Sequence, residues 1–258
     1  MWVRTLAQAA AWLDEVGIAL LYPNGDYVLP SLWEAVAGHP DMNWEAPETW
    51  TVWAWKDELP AQRLACVGLH VARTTGLVAP RLVSSIYAIA GEHELEGLEA
   101  AIADAARSLR RPATRRELRL LAGTDKRLGD RAVNALQRKL VLTNAGVDHE
   151  GGGWGATLHD VFQRRWRAKL RRVPARADAL AALSTAVVGA AGEVSAADLA
   201  AALRIRPREA QETLERLEAD GAVTPLRRDD LRLWTAASRE SRARSRAAGS
   251  RSSPRRSR

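Results

Sequence analysis

Two stretches of this chain carry the same order of signals, and that repeat constrains the fold more than any other feature. In the first, Leu95, Leu98, Ile102, Ala105 and Leu109 recur at three- and four-residue spacing, which predicts a helix with one buried face. Pro112 ends it. Thr114 and Glu117 then form a capping box that opens a short helix with Leu118 and Leu121, closed by Gly123. A third helix is expected over 125–140, its apolar Leu128, Val133, Leu136 and Leu140 broadly on one side. Val141 to Val147, a polar and glycine-rich Asp148 to Gly153, and Trp154 to Leu158 read as strand, turn and strand. The second stretch repeats this order. It has an alanine-rich helix over 176–190, a short strand at Glu193-Val194, a capping box at Ser195 and Asp198, and a helix with Pro207 at its first position that stops at Gly221. A hairpin follows, from Val223 to Leu226 and from Leu231 to Thr235. Three helices followed by a hairpin is the order of a winged helix-turn-helix. The expected fold class is therefore mainly α with small β wings, in tandem winged helix-turn-helix modules.

The region before the repeat is different. Seven of the ten tryptophans lie before residue 60. Residues 5–16 read as an amphipathic helix, and Asn24-Gly25-Asp26 as a hairpin or tight loop between Ile18–Tyr22 and Tyr27–Leu29. Ser31 and Glu34 form another capping box. The stretch from His39 to Thr49 is loop-like, 60–79 is ambiguous, and 80–90 reads as a helix. The expected organisation is a Trp-rich N-terminal domain (1–92), a basic winged-helix domain (93–172), a second winged-helix domain (173–237) and a tail (238–258). That tail is almost wholly Ser, Arg, Ala, Gly and Pro, so it buries too little apolar area to offset ordering and should be disordered.

The single cysteine, Cys66, excludes an intrachain disulfide and a cysteine-based zinc site. The five histidines are scattered, so no metal and no cofactor is expected. Asp14 and Glu15 interrupt the apolar N-terminus, which is wrong for a secretory signal, and Leu180–Gly192 is too short to span a bilayer. The expected location is cytoplasmic and nucleoid-associated, with no membrane partner.

Charge narrows the function. The net charge of +7 is matched by residues 239–258 alone, with eight arginines and one glutamate. Within the rest, residues 1–60 hold two basic and nine acidic side chains, whereas 110–172 hold sixteen basic and six acidic. A concentrated basic block is the footprint of a phosphate-binding surface, although a merely solvated arginine-rich face has the same composition. On the helix over 125–140, Arg127, Arg131, Asn134 and Arg138 share one face, and Lys126 adjoins them. Arg and Asn are the residue types that read guanine and adenine edges. Arg115, Arg116 and Arg119 on the preceding helix suit phosphate contacts, and the wing adds His149 and Trp154. The matching helix of the second module instead exposes Glu209, Glu212, Glu215 and Glu218, a face suited to protein contact or self-association.

The most unusual local sequence runs from Trp50 to Glu58. It reads either as a pocket, with aromatic planes to stack on a base and Trp55, Lys56, Asp57 and Glu58 as catalytic candidates, or as a small tryptophan-filled core capped by an acidic turn. Gly151–Gly155 lacks a following Lys-Ser/Thr and is no phosphate loop, and no Gly-x-Ser-x-Gly elbow occurs.

The runs Glu15–Pro23, Pro30–Val36, Trp55–Pro60 (Trp-Lys-Asp-Glu-Leu-Pro) and Ser85–Gly91 resemble proteins described as AlkZ-related winged-helix DNA-binding proteins. The resemblance covers 5–160 well and 161–237 more loosely. It implies kinship with bacterial DNA glycosylases that unhook interstrand crosslinks and excise alkylated bases. It also implies three tandem winged helices, with the N-terminal region as a diverged first module. Those glycosylases use a Gln-x-Gln or Gln-x-Asp motif. None of the five glutamines here (Gln8, Gln62, Gln137, Gln163, Gln211) has Gln or Asp two residues on, so no catalytic residue carries over.

The expected function is thus binding of double-stranded DNA by a protein of glycosylase ancestry acting in repair or damage response. Three alternatives stay open: an active alkylated-base glycosylase, a dimeric transcription regulator, and a scaffold whose basic block meets an acidic protein.

Overall fold

The computed structural model describes residues 3–90, 93–150 and 155–237. Trp2, Trp154 and the 238–258 tail lie outside the described residues. About half of the described chain is helical, and the strands form three small three-stranded antiparallel sheets.

One order of elements occurs three times. The first unit runs α1 (Leu6–Val16), β1 (Ile18–Leu20), α2 (Leu32–Ala37), α3 (Pro47–Ala61), β2 (Cys66–Gly68) and β3 (Gly76–Val78), followed by α4 (Val83–Ala90). The second runs α5 (Gly97–Leu109), β4 (Ala113–Thr114), α6 (Arg115–Leu121), α7 (Lys126–Arg138), β5 (Leu142–Asp148) and β6 (Ala156–Val161), followed by a single turn, α8 (Phe162–Arg165). The third runs α9 (Arg176–Ala191), β7 (Glu193–Val194), α10 (Ala196–Leu203), α11 (Pro207–Ala219), β8 (Val223–Arg228) and β9 (Leu231–Ala236). In each sheet the last strand lies in the middle, flanked by its hairpin partner and by the short strand after the first helix. Thus Val78 pairs with Ile18 on one side and Cys66 on the other, and His159 pairs with Ala113 and Asn144.

Local chemistry explains the boundaries. Ser31, Thr114 and Ser195 each accept from the backbone N–H three residues on, and the acid at that position bonds back, which satisfies two otherwise orphaned donors. The Trp-rich run is a helix, started by Pro47 at a first position where its missing N–H costs nothing. Asn24–Asp26 is a tight loop rather than a hairpin: the partner of β1 is β3, and the Leu20 N–H bonds Pro30 O. The ambiguous 60–79 segment holds the end of α3 and the β2–β3 hairpin.

The core lies in three places. Leu13, Leu32, Trp33, Val52, Trp55 and Leu59 fill the first unit, where the Trp33 indole N–H reaches Thr49 Oγ1 at 3.0 Å. Ile102, Leu118, Val133, Leu136 and Leu142 fill the second. The third core joins the two ends of the chain. Val83, Ile86 and Ile89 of α4 pack with Leu180, Leu183 and Val187 of α9, with Phe162 and Trp166 in the same cluster. Leu121 and Leu128, read as inward-facing, are 57 % and 49 % exposed. Both flank the α6–α7 turn.

Candidate nucleic-acid interface and cleft

The third helix of the second unit borders both the outer surface and a cleft. Asp125 caps α7 by accepting from the Leu128 N–H, and Gly129, Ala132, Val133 and Leu136 turn inward. Lys126, Arg127, Arg131 and Arg138 are left exposed. Among the described residues none of these four cations has a carboxylate partner, and nor does Arg116 on α6. The third unit differs. Glu209 pairs with Arg176 at 2.8 Å, Glu212 with Arg208 at 2.8 Å, and Glu215 and Glu218 with Arg232 at 3.6 and 2.7 Å. Its acidic face is therefore largely neutralised, whereas the α7 face is free to meet an anion. His149 is exposed on the β5–β6 turn, and Trp154 is outside the described residues. Arg119 bends back, its Nε donating to Arg115 O at 3.3 Å.

Two residues expected on that outer face point elsewhere. Arg115 donates from Nη2 to Asn134 Oδ1 at 2.7 Å and from Nε to His159 Nε2 at 3.3 Å, and its Nη1 lies 3.9 Å from Asp130. Burial lowers the Arg115 pKa, although the nearby Asp130 opposes this. Burial also pushes His159 down to about 3, with Arg115 adding to the shift. The ring is therefore neutral. Because Nε2 accepts from Arg115, the proton sits on Nδ1. That Nδ1 has no partner among the described residues, and neither does Asn144 Oδ1 on the paired strand.

Arg115, Asn134, Gln137, Asn144 and His159 form one wall of a cleft of about 520 Å³ between the first and second units. The opposite wall is Tyr22, Trp44, Trp53, Lys56, Asp57, Thr74 and Thr75. The Tyr22 and Trp44 rings lie 5.6 Å apart, and burial raises the Tyr22 phenol to about 12. The Lys56 ammonium sits 4.5 Å over the Trp53 ring and 2.7 Å from Asp57 Oδ1, so one charge-neutral pair backs the aromatic wall. Of the four residues singled out in the Trp-rich run, the structure brings Lys56 and Asp57 into the cleft. Trp55 is 7 % exposed in the first core, and Glu58 faces outward. The run is divided between core and cleft, because a helix divides its residues between two faces.

Two joints hold the walls. Gly146 follows a β-bulge at φ +122°, and a Cβ there would lie 3.1 Å from Ala61 Cβ at the end of α3. Arg165 donates to Pro60 O and Ala61 O, bringing a cation to the α3 C-terminus. At the other joint His70, between β2 and β3, lies 3.4 Å from Gln137 O and 3.2 Å from Cys66 Sγ. Burial pushes His70 down to about 4 and Cys66 up to about 12.

A family model described as AlkZ related matches residues 3–204. The chain belongs to the AlkZ-related family. The fold of this AlkZ-related protein is similar to that of the Streptomyces sahachiroi DNA glycosylase AlkZ, with a TM-score of 0.59 at 14 % identity. The similarity covers 93 % of this chain and 66 % of the glycosylase chain. A comparison with curated proteins returned no match. Among the described residues of this family member, no helix is long and apolar enough to cross a membrane, and no cluster of three metal-ligating side chains occurs.

Proposed function

We propose that this protein binds double-stranded DNA through three tandem winged helices, with domains at 1–92, 93–172 and 173–237, and that it examines bases in a repair or damage-response role inside the cell. In this reading each repeated unit is a winged helix and α7 is the recognition helix. Arg116, Lys126, Arg127 and Arg131 meet the duplex, while the acidic α11 face of the third unit, its glutamates internally paired, serves packing.

The observation that carries the reading is that one helix supplies both an unpaired cationic face and the wall of a cleft. Asn134 sits at the edge between them. The cleft volume falls within the range of small-molecule sites. An everted base would find aromatic planes in Tyr22, Trp44 and Trp53, and amide and imidazole groups in Asn134, Gln137, Asn144 and His159. Reading a base outside the stack requires both kinds of group.

Base excision is the second reading, and Asp57 favours it. Cleavage of an N-glycosyl bond develops positive charge on the sugar, which a carboxylate in the cleft would stabilise. The test is incubation of the purified protein with duplexes carrying an alkylated or a mispaired base, scoring both binding and base release. Tighter binding to the damaged duplex is expected. Release that is lost in Asp57→Asn and kept in Glu58→Gln would make the protein a glycosylase. Equal, weak binding to every duplex would refute the DNA reading altogether.

A further inference from the structure

Three arginines from three different units converge beside the cleft, and none has a carboxylate partner among the described residues. They are Arg73 on the β2–β3 turn, Arg138 at the end of α7, and Arg204 just after α10. Main-chain contacts bring them together. The Ala72 N–H donates to Ala202 O at 2.8 Å, which ties the β2–β3 turn to the end of α10. His70 meets Gln137 O, which ties the same turn to the end of α7. Arg204 Nη1 donates to Leu69 O at 3.1 Å, while the Arg73 side chain has no such anchor. All three are exposed. Leu69, Thr74 and Gln137, which adjoin or bond them, line the cleft itself.

Like charges gathered without counter-charge repel one another, and folding tolerates this where an anion is the intended occupant. Partial burial of its guanidinium lowers the Arg204 pKa most, and the neighbouring Arg138 and Arg73 lower it further, as expected of like charges held close together. Guanidinium groups also fit phosphate oxygens better than ammonium groups do, because their donors form a planar fork.

We infer that Arg73, Arg138 and Arg204 form a phosphate clamp that grips a backbone phosphodiester of bound DNA at the rim of the cleft. The clamp rests on the DNA-binding reading above and deepens it. A base drawn into the cleft needs its own backbone fixed outside, and a clamp drawn from three units grips only when all three are in register. A contact of this kind positions DNA without reading sequence.

The test uses the full chain and two duplexes of unrelated sequence, with dissociation constants measured across a salt series. Arg73→Gln and Arg204→Gln are compared with Arg206→Gln, which removes an exposed arginine of the third unit outside the cluster. Each clamp variant is expected to lower the log–log salt slope by about one and to weaken binding roughly tenfold, with all sequences affected alike. Arg206→Gln should match the wild type within about twofold. Arg73→Gln guards against misfolding, since it breaks no side-chain hydrogen bond and should raise the low-salt melting temperature by relieving repulsion. Slopes unchanged in both clamp variants, with the wild type binding well, would overturn the clamp and leave the DNA reading intact. Failure of the wild type to bind any duplex would remove both.

Discussion

Lowering the pH from 7 to 5 should destabilise this protein steeply, and two buried histidines set the size of the effect. His70 and His159 are 4 % and 1 % exposed, and burial holds them at about 4 and about 3. In the unfolded chain both return to about 6.5. The folded values lie below the unfolded ones, so the unfolded chain takes up protons first as pH falls. The stability these neutral rings allow is complete above about pH 6.5 and is lost progressively below it, down to the folded values. Between pH 7 and pH 5 each histidine costs about 2 kcal/mol, and the pair about 4 kcal/mol, against a typical domain stability of roughly 5–15 kcal/mol. Glu117, held at about 2 chiefly by its hydrogen bond from Arg111, titrates below this window and does not obscure it. The assay is urea unfolding at both pH values for the wild type, His70→Asn and His159→Asn. Each variant should lose about half of the pH dependence, whatever its stability at pH 7. A wild-type stability that changes by less than about 1 kcal/mol, or variants that keep the whole dependence, would refute the assignment of neutral buried rings.

Other perturbations probe the joint, the cleft and the face. Gly146→Ala forces an L side chain into a positive-φ bulge against Ala61 and should cost about 1–3 kcal/mol in thermal unfolding, whereas Gly25→Ala, with open space around it, should cost far less. Trp53→Ala should weaken binding to a duplex carrying an unpaired base by about 1–3 kcal/mol while leaving the fully paired duplex within a factor of two, as measured by fluorescence anisotropy. Replacing both Arg127 and Arg131 with Ala should lower the salt slope by about two with equal loss on all sequences if they touch phosphates. A loss confined to one sequence would instead mark them as base readers.

Much of this architecture was legible because its punctuation is local. Three capping boxes, Pro207, and the hairpins after α7 and α11 each depend on residues within a few positions, and they mark the helices and turns directly. The first unit was harder to read. Its strands are three residues long, and β1 pairs with β3 nearly sixty residues away, a contact no short-range pattern contains. The cleft was legible only in part. Lys56 and Asp57 stood out beside the tryptophans, but Tyr22, Asn144 and His159 reach the site through strand pairing and inter-unit packing. The exposed Trp44, in a polar loop with little apolar company, was the one local hint. Arg115 and Asn134 followed helical periodicity to the right elements. What periodicity misses is that Arg115 turns in to hydrogen-bond Asn134 and His159.

Whether the second unit itself holds DNA decides the proposed function. The protein truncated after residue 238 keeps 30 basic and 30 acidic residues and is formally neutral. Its binding to undamaged, alkylated and crosslinked duplexes would be measured across a salt series. Tight binding with a steep salt slope, weakened when Arg127 and Arg131 are replaced, is the predicted result, because a formally neutral chain binds DNA this way only through locally concentrated basic surface. Binding no better than that of an unrelated neutral protein would contradict the account and assign any DNA affinity of the full chain to the arginine-rich tail.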